Sequence, residues 1–317
     1  LSRHEFREVA ARYYGEPSPA CASFVGQRAG RRVIDAQGVA LCSESLPGDG
    51  WRRAHDAIKW RIASDAKECG ARCITEVYGL FSASIPQVSR ARLAALPPRK
   101  RHGLVPDFLL RIELELEEMK EYLAELKVAH LSRTHYKPTD NAGVEERKEG
   151  IRRRARQIPR EYVAKAQKAD QDYCGTPAGQ VGPIEQRLRA FQRVMPLAFG
   201  AFGETSDDVE RLMETLAQSG AERHWRRMKA KNEEHAKGAL VWLLRRRWGM
   251  TALRENARLI LDRVPYIGAG ARAKYDRTER AFAQSGKRAK ARADALELSQ
   301  FGPSVGDSRP IAATRWA

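Results

Sequence analysis

The chain has 317 residues, of which 42% are hydrophobic and 31% are charged, a balance typical of a folded globular protein and not of a disordered one. Its 57 lysines and arginines outnumber its 40 aspartates and glutamates, which gives a formal net charge of +17. No stretch has the roughly 20 consecutive apolar residues that a membrane span requires. The charge favours a polyanionic partner over a basic surface that serves only solubility.

The five cysteines have irregular spacing, which does not fit the framework of a disulfide-stabilised domain. Free thiols persist in a reducing compartment, so we expect the protein in the nucleus or the cytoplasm. The first residues are polar and lack the apolar core of a signal peptide, so secretion is not expected. The sequence begins at Leu1 rather than at a methionine. This start suggests a piece of a longer polypeptide, and processing or an incomplete sequence would look the same.

The N-terminal third combines irregular segments with one clear helix. Prolines and glycines recur in residues 1–50 after a short opening helix, which predicts turns. Trp51–Gly70 predicts a helix, because apolar residues recur every three or four positions and Gly70 stands where a C-terminal cap belongs. The β-branched and aromatic run Cys73–Phe81 predicts a strand.

The clearest period-two pattern of the chain lies in Phe108–Leu116, where apolar and polar residues alternate. This alternation predicts a strand with one buried face and one mostly polar face. Glu117–Glu121 predicts a charged turn, and Leu123–Leu131 predicts the next strand. Glu125 and Lys127 occupy the same face of that strand, because positions two apart point the same way.

The second half of the chain predicts mostly helices. Val144–Tyr173 has one apolar stripe at helical spacing, and Pro159 should kink or divide this helix. A turn-rich break precedes a short helix at Ile184–Arg193 and a strand at Leu197–Phe202. Ser206–Ser219 predicts a further helix, with an N-cap serine and an acidic first turn.

The order of these elements predicts an α/β fold, with a small mixed sheet flanked by helices. The chain divides into an irregular N-terminal segment, a core, a basic helical extension and a frayed tail. Their predicted bounds are 1–50, 51–203, 204–299 and 300–317.

Three residues on the two central strands could share one chemical task. Asp107 begins the first of them, and Glu125 and Lys127 lie on the second. If these strands pair as a hairpin, two carboxylates meet, and a hard divalent cation relieves their repulsion. A lysine beside them can orient an attacking hydroxide or contact a phosphate. The alternative interpretation of these residues is a solvated acidic hairpin.

The Pro106-Asp107 pair followed by Glu125-Leu126-Lys127 resembles the signature of the PD-(D/E)XK, or restriction-endonuclease-like, nuclease superfamily. The resemblance covers about residues 51–203 and implies a core of helix, three strands, helix and strand. It implies that Asp107 and Glu125 bind Mg²⁺ or Mn²⁺ and that Lys127 is the catalytic lysine. Many members add an acidic residue on the first helix, and an acid on the first strand is a further possibility. The candidates here are Asp56, Asp65, Glu68 and Glu76.

A second resemblance is to the endonuclease region that follows reverse transcriptase in some eukaryotic retroelement polyproteins. The segments that carry it are Tyr14–Ala22, Leu46–Asp56, Glu76–Phe81 and Gly103–Phe108. It implies a role in retroelement integration and a reverse transcriptase domain of the same polyprotein as partner. Those regions often contain a cysteine- and histidine-rich knuckle.

The knuckle is the point at which this sequence departs from such retroelement regions. Only Cys21, Cys42 and His55 fall in the corresponding area, and they lack CxxC spacing. A zinc site is therefore not expected. The His55-Asp56 pair could position a phosphate or a water, and we favour the interpretation that it makes a helix-start hydrogen bond. We interpret His130 as a histidine packed in the core.

Basic residues form three clusters that favour contacts with a nucleic-acid backbone, with DNA as the expected substrate and RNA as the alternative. No base-reading motif accompanies them, so little sequence preference is expected. The same clusters would serve a catalytically idle nucleic-acid-binding module of the same fold. The first cluster comprises Lys148, Arg152, Arg153, Arg154 and Arg156, the second Arg226 and Arg227 with Lys229 and Lys231 beside Trp225, and the third Lys287, Arg288, Lys290 and Arg292.

Overall fold

The computed structural model of the chain describes residues 1–46, 48–94, 104–114, 119–132, 136, 143–191 and 193–268. The third basic cluster and the predicted tail lie outside these ranges. The helices of the described part are α1 (Arg3–Tyr14), α2 (Val39–Ser43), α3 (Gly50–Glu68), α4 (Gln87–Ala94), α5 (Val144–Ala169), α6 (Pro183–Arg189), α7 (Asp207–His224) and α8 (Glu233–Leu261). Its strands are β1 (Arg28–Ala29), β2 (Arg32–Val33), β3 (Arg72–Thr75), β4 (Phe108–Glu113), β5 (Met119–Val128) and β6 (Met195–Phe199).

The main sheet has four strands in the order β3-β4-β5-β6. The first three run antiparallel to their neighbours, whereas β6 pairs parallel to β5. A parallel neighbour requires a crossover connection, and here the connection contains α5 and α6. This confirms the predicted α/β class and the small mixed sheet flanked by helices.

The sheet is covered on both faces at its centre. Phe108, Leu110 and Ile112 of β4 are fully buried in a cluster with residues of α3, α7 and α8. Leu109, between them, is buried on the opposite face with Leu123 and residues of α5 and α6. Strand β4 is thus apolar on both faces where it begins, because helices pack against each of them.

Several strand bounds differ from those that the sequence predicts. The prediction of a strand over Cys73–Phe81 was wrong beyond Thr75, because Glu76 adopts a left-handed backbone with φ of 49° and turns the chain. Strand β5 begins at Met119, so its first residues belong to the hairpin and not to a charged turn. Strand β6 runs from Met195, two residues before its predicted start, and ends at Phe199.

Several helices also differ from their predicted course. Pro159 does not divide α5. Ile158 and Tyr162 on either side of it are buried, and their packing offsets the one backbone hydrogen bond that proline removes. The α-helix ends at Ala169, and a single π-turn at Asp170–Cys174 follows. Helix α6 ends at Arg189, before its predicted end, and α7 continues past Ser219 to His224.

Helix α8 joins the two ends of the described chain to the core. Trp248 is fully buried, and its Nε1 donates to Asp65 of α3 at 2.9 Å. Further along, Arg258 donates to Glu5 of α1 at 2.6 Å. The final turn of α8 packs with residues of the N-terminal segment. Among the described helices, none combines the length and the hydropathy that a membrane span requires.

Candidate active site

Asp107 stands directly before strand β4, at the edge of the central hairpin. Phe108 pairs with Ala124 in the antiparallel register of β4 and β5, so Asp107 lies opposite Glu125, one step along the ladder. Its Oδ2 accepts a hydrogen bond of 2.8 Å from the backbone N–H of Leu126. The structure therefore places the two candidate carboxylates as cross-strand neighbours.

Lys127 and Glu125 project from the same face of β5, as their spacing predicts. The Nζ of Lys127 donates to Oε1 of Glu125 at 2.5 Å. A second ammonium group reaches the same oxygen from α5, because Nζ of Lys165 lies 3.9 Å from Oε1 of Glu125. Glu125 is 6% exposed. Lys165 is not among the residues that the sequence predicts for the site, since nothing in a single sequence links a position on α5 to one 40 residues earlier.

The two carboxylates have different electrostatic surroundings. Burial and the neighbouring charge of Asp107 raise the pKa of Glu125, and Lys127 opposes this effect. Burial also acts to raise the pKa of Asp107, but the hydrogen bond and charge of His55, together with the N–H of Leu126, lower it. Asp107 therefore remains an anion. For Glu125, any positive charge that is placed beside it stabilises the charged form of its carboxyl group.

His55 contacts Asp56, its partner in the favoured sequence interpretation, and also Asp107, which that interpretation did not include. Its Nε2 lies 3.2 Å from Oδ2 of Asp107 and its Nδ1 lies 3.3 Å from Oδ1 of Asp56. Burial would lower the pKa of His55, but the hydrogen bond and charge of Asp107 raise it. Because Oδ2 of Asp107 accepts from both His55 and Leu126, the orientation of its carboxylate is fixed.

Two of the four candidate acids for completing the site are engaged elsewhere. Asp65 is fully buried and accepts from Arg61, Arg247 and Trp248. Glu68 pairs with Arg247 at 2.9 Å. Both residues join α3 to α8, so we assign them a structural role.

The other two candidate acids, Asp56 and Glu76, share a buried lysine. The Nζ of Lys59, whose side chain is 2% exposed, donates to Asp56 at 2.9 Å and to Glu76 at 2.6 Å. The backbone of the Glu76 turn also fixes the start of β4, since Glu76 N–H donates to the carbonyl of Asp107 at 3.0 Å. These acids lie close to Asp107, yet an ammonium group already compensates their charges.

Tyr162 of α5 is close enough to the two carboxylates to be affected by their charges. It is 1% exposed, and no described residue forms a hydrogen bond with its hydroxyl. Burial and the charges of Glu125 and Asp107 raise its pKa well above the ordinary value. Such an unpaired buried hydroxyl costs free energy unless it meets a polar group or a water.

The donor set of this site fits a hard divalent cation. Asp107 and Glu125 offer carboxylate oxygens, and no described residue donates to Oδ1 of Asp107. Among the described residues, no group of three or more His, Cys, Asp or Glu side chains is arranged to hold a metal. Mg²⁺ does not require such a cage, because it keeps several waters and commonly binds one or two carboxylates plus substrate phosphate.

The predicted nucleic-acid-binding arginines differ in how they are paired. Three arginines of the first cluster form ion pairs: Arg152 with Asp207, Arg154 with Glu161, and Arg156 with Glu149. No described residue pairs with Arg153, which is exposed. In the second cluster Arg226 and Arg227 are also exposed, and the Arg226 guanidinium lies 5.1 Å from the ring centroid of Trp225.

Comparisons with protein-family models, with curated proteins and with solved structures found no significant match to this chain.

Proposed function

We propose that this chain is a metal-dependent endonuclease that hydrolyses DNA phosphodiester bonds through a restriction-endonuclease-like, or PD-(D/E)XK, site. One observation carries the proposal: Asp107 and Glu125 are cross-strand neighbours, and the Lys127 ammonium is bound to Glu125. The elements α3, β3, β4, β5, α5 and β6 follow one another in the order helix, three strands, helix and strand, with α4 inserted between β3 and β4 and α6 between α5 and β6. This order supports the core that the resemblance implies.

Each residue has a distinct role in this proposal. Asp107 and Glu125 hold Mg²⁺ or Mn²⁺, which when bound acidifies a water and stabilises negative charge on the phosphate. His55 and the N–H of Leu126 fix the Asp107 carboxylate through Oδ2 and leave Oδ1 without a described partner. Lys127 places a positive charge next to Glu125, where it can contact the cleaved phosphate or orient the attacking oxygen.

The net charge of the chain indicates the class of substrate. A net charge of +17 favours a polyphosphate as substrate. Helix α5 has exposed arginines, and its Lys165 lies 3.9 Å from Glu125 of the candidate site. Affinity for duplex DNA should fall steeply as salt is raised, because phosphate contacts release counterions. RNA is the alternative polyanion, and the same assay with an RNA duplex decides between them.

The biological setting in this proposal rests on the sequence resemblance to retroelement endonuclease regions. In that setting the chain acts in the nucleus or cytoplasm beside a reverse transcriptase domain of the same polyprotein. It cuts the DNA into which the element integrates. Nicking of a plasmid in the presence of Mg²⁺ or Mn²⁺ is the activity to be tested first.

The decisive experiment measures nicking of supercoiled plasmid by the wild type, Asp107→Asn and Glu113→Gln with Mg²⁺, Mn²⁺ or EDTA. Asp107→Asn removes a charged metal ligand but keeps its shape, so nicking should fall to background. Glu113 lies at the far end of β4 and pairs with Arg223, so Glu113→Gln is the matched control and should retain activity. Equal loss in both variants would place the active site elsewhere.

If wild-type protein binds DNA but never nicks it with either metal, the proposal of an enzyme fails. A catalytically idle binding module with this fold would then explain the chain. Circular dichroism of each variant shows whether it is folded, so that loss of activity is not confused with loss of structure.

A further inference from the structure

A cleft of about 350 Å³ opens beside the candidate active site, between the end of β5 and one face of α5. Its floor is formed by Lys127 and Val128 at the end of β5 and by the next two residues, Ala129 and His130, so it begins at the candidate catalytic lysine. Small-molecule sites have volumes of roughly 300 to 1,000 Å³, so the cleft has room for one nucleotide but not for a length of duplex. The helix residues that line it are Gly150, Arg153, Arg154, Gln157 and Glu161.

The helical wall of this cleft is a continuous stripe. Its residues are three or four positions apart, so they share one face of α5. One turn beyond Glu161 on the same face is Lys165, whose Nζ lies 3.9 Å from Glu125. The stripe therefore connects the cleft to the candidate active site along a single rigid helix.

The basic side chains of the cleft differ in whether another residue already pairs with them. Arg154 is bound to both carboxylate oxygens of Glu161 and also donates to Gln157 at 3.2 Å. Lys127 is bound to Glu125. No described residue pairs with Arg153, so its guanidinium is available for a phosphate, which it can bind through two N–H donors.

At the end of the cleft away from Lys127, the lining residue is the aromatic side chain of His130. His130, which we predicted to be a packed core residue, lines the cleft instead. Its ring stacks on Trp51 with centroids 5.5 Å apart, and the Arg263 guanidinium lies 4.8 Å from the Trp51 ring. The indole is fixed in turn, because its Nε1 donates to the carbonyl of Cys42 at 2.8 Å. This stack supplies a flat, pre-positioned wall of the kind on which a base or sugar can pack.

We propose that this cleft binds one nucleotide of the cleaved strand, on one side of the cleaved bond, with Arg153 contacting its phosphate. The inference rests on the proposed function, since it places the cleft on the path of the substrate. On a general basic surface, neighbouring arginines would contribute equally to binding. In the cleft, Arg153 contacts the phosphate, and Gln157 and His130 contact the same nucleotide. One backbone phosphate near the cut should therefore be held more strongly than the others.

The first test measures binding in the Asp107→Asn background, so that cleavage is not required. Fluorescence anisotropy of a labelled DNA duplex is recorded over a range of salt concentrations. Adding Arg153→Ala should reduce the slope of log affinity against log salt by about one. The control is Arg7→Ala on α1, an exposed arginine outside the cleft, which should leave the slope unchanged. Equal slopes for the two variants would overturn the inference.

Two substitutions on the same helix, each of which adds one negative charge, give a second measurement. Gln157→Glu and Gln167→Glu add one negative charge each, but only Gln157 lines the cleft, and Gln167 is exposed. In the Asp107→Asn background, Gln157→Glu should weaken duplex binding by about tenfold more than Gln167→Glu, because its charge faces the bound phosphate. Similar weakening in both variants would also overturn the inference.

The third test locates the phosphate. Substrates carry a single uncharged methylphosphonate, placed in turn at each phosphate near the cleaved bond. At one position the replacement should slow cleavage by the wild type but not by Arg153→Ala, since the contact is already absent. If the chain never cleaves DNA, the proposed function fails while the binding tests still decide on the cleft. If it cleaves but the binding slopes are equal, only the cleft inference fails.

Discussion

The imidazole Nε2 of His55 lies 3.2 Å from Oδ2 of Asp107. This contact joins helix α3 to the start of strand β4 over 52 residues of chain. It leaves the second oxygen of the same carboxylate without a described donor. A hydrogen bond to a metal-binding carboxylate restricts how its oxygens can turn, so His55 has a positioning role in the proposed site.

Replacement of His55 by alanine should reduce nicking about tenfold to a hundredfold, because such supporting contacts have effects of that size. The required Mg²⁺ concentration should rise at the same time, since the Asp107 carboxylate is no longer fixed. A Mg²⁺ titration of the nicking rate measures both quantities. His235, which is exposed on α8, gives the control His235→Ala with unchanged kinetics. A lower rate at an unchanged Mg²⁺ requirement would argue against positioning.

Lys127→Ala should abolish nicking but leave metal binding largely intact, because an ammonium group does not coordinate a hard cation. Its role is to supply positive charge beside Glu125, at 2.5 Å. Calorimetric titration with Mn²⁺ distinguishes this variant from Asp107→Asn, in which metal binding itself should weaken. Loss of Mn²⁺ binding in Lys127→Ala would show that the lysine only maintains the shape of the site.

Lys59→Met should destabilise the fold by about 2 kcal/mol, because two carboxylates lose the ammonium group that compensates them. The partners Asp56 and Glu76 are about one-third exposed, so water limits the cost. Urea denaturation followed by circular dichroism gives the free energy of unfolding. Lys67→Met, at an exposed position of the same helix, should change it by no more than about 0.5 kcal/mol.

The double variant Lys59→Met, Glu76→Gln checks the reason for this loss. Removing the charge of Glu76 together with that of Lys59 should recover part of the stability, since one uncompensated carboxylate is gone. If the double variant is as unstable as the sum of the two single variants, the ion pair is not the cause.

Glu5 supports a pH-dependent contact between α1 and α8. Burial acts to raise its pKa, but the backbone N–H of Ser2 and the charge and hydrogen bond of Arg258 lower it below the ordinary 4.5. A carboxyl group with a lowered folded-state pKa contributes stability above its unfolded pKa and loses that contribution as the pH falls. The stability that depends on the charge of Glu5 is therefore present at neutral pH and is lost below about 4.5.

Glu5→Gln keeps the shape of the side chain and removes the charge. It should reduce the free energy of unfolding at pH 7 by on the order of 1 kcal/mol, as for a partly exposed charged hydrogen bond. The difference from the wild type should shrink as the pH falls from 4.5 to 3, measured by urea denaturation at each pH. Glu16→Gln, at an exposed position just after α1, should show no such trend. A constant difference over this pH range would contradict the assignment.

The sequence by itself determined which residues share a face. Period-two alternation placed Glu125 and Lys127 on one side of a strand, and helical periodicity placed the apolar stripe of α5 that packs against the sheet. The α/β class followed from the order of such elements. These signals are local, because the direction of a side chain relative to its own backbone repeats every two or every 3.6 residues.

Only the tertiary structure decided which residues meet. The register of β4 on β5 placed Asp107 opposite Glu125, and packing of α3 and α5 against the sheet brought His55 and Lys165 to them. Packing also engaged Asp65 in contacts between α3 and α8, although its residue type had made it a candidate ligand. Periodicity gives the orientation of each element separately, whereas contacts between distant elements depend on how their surfaces pack, which a single sequence does not encode as a local signal.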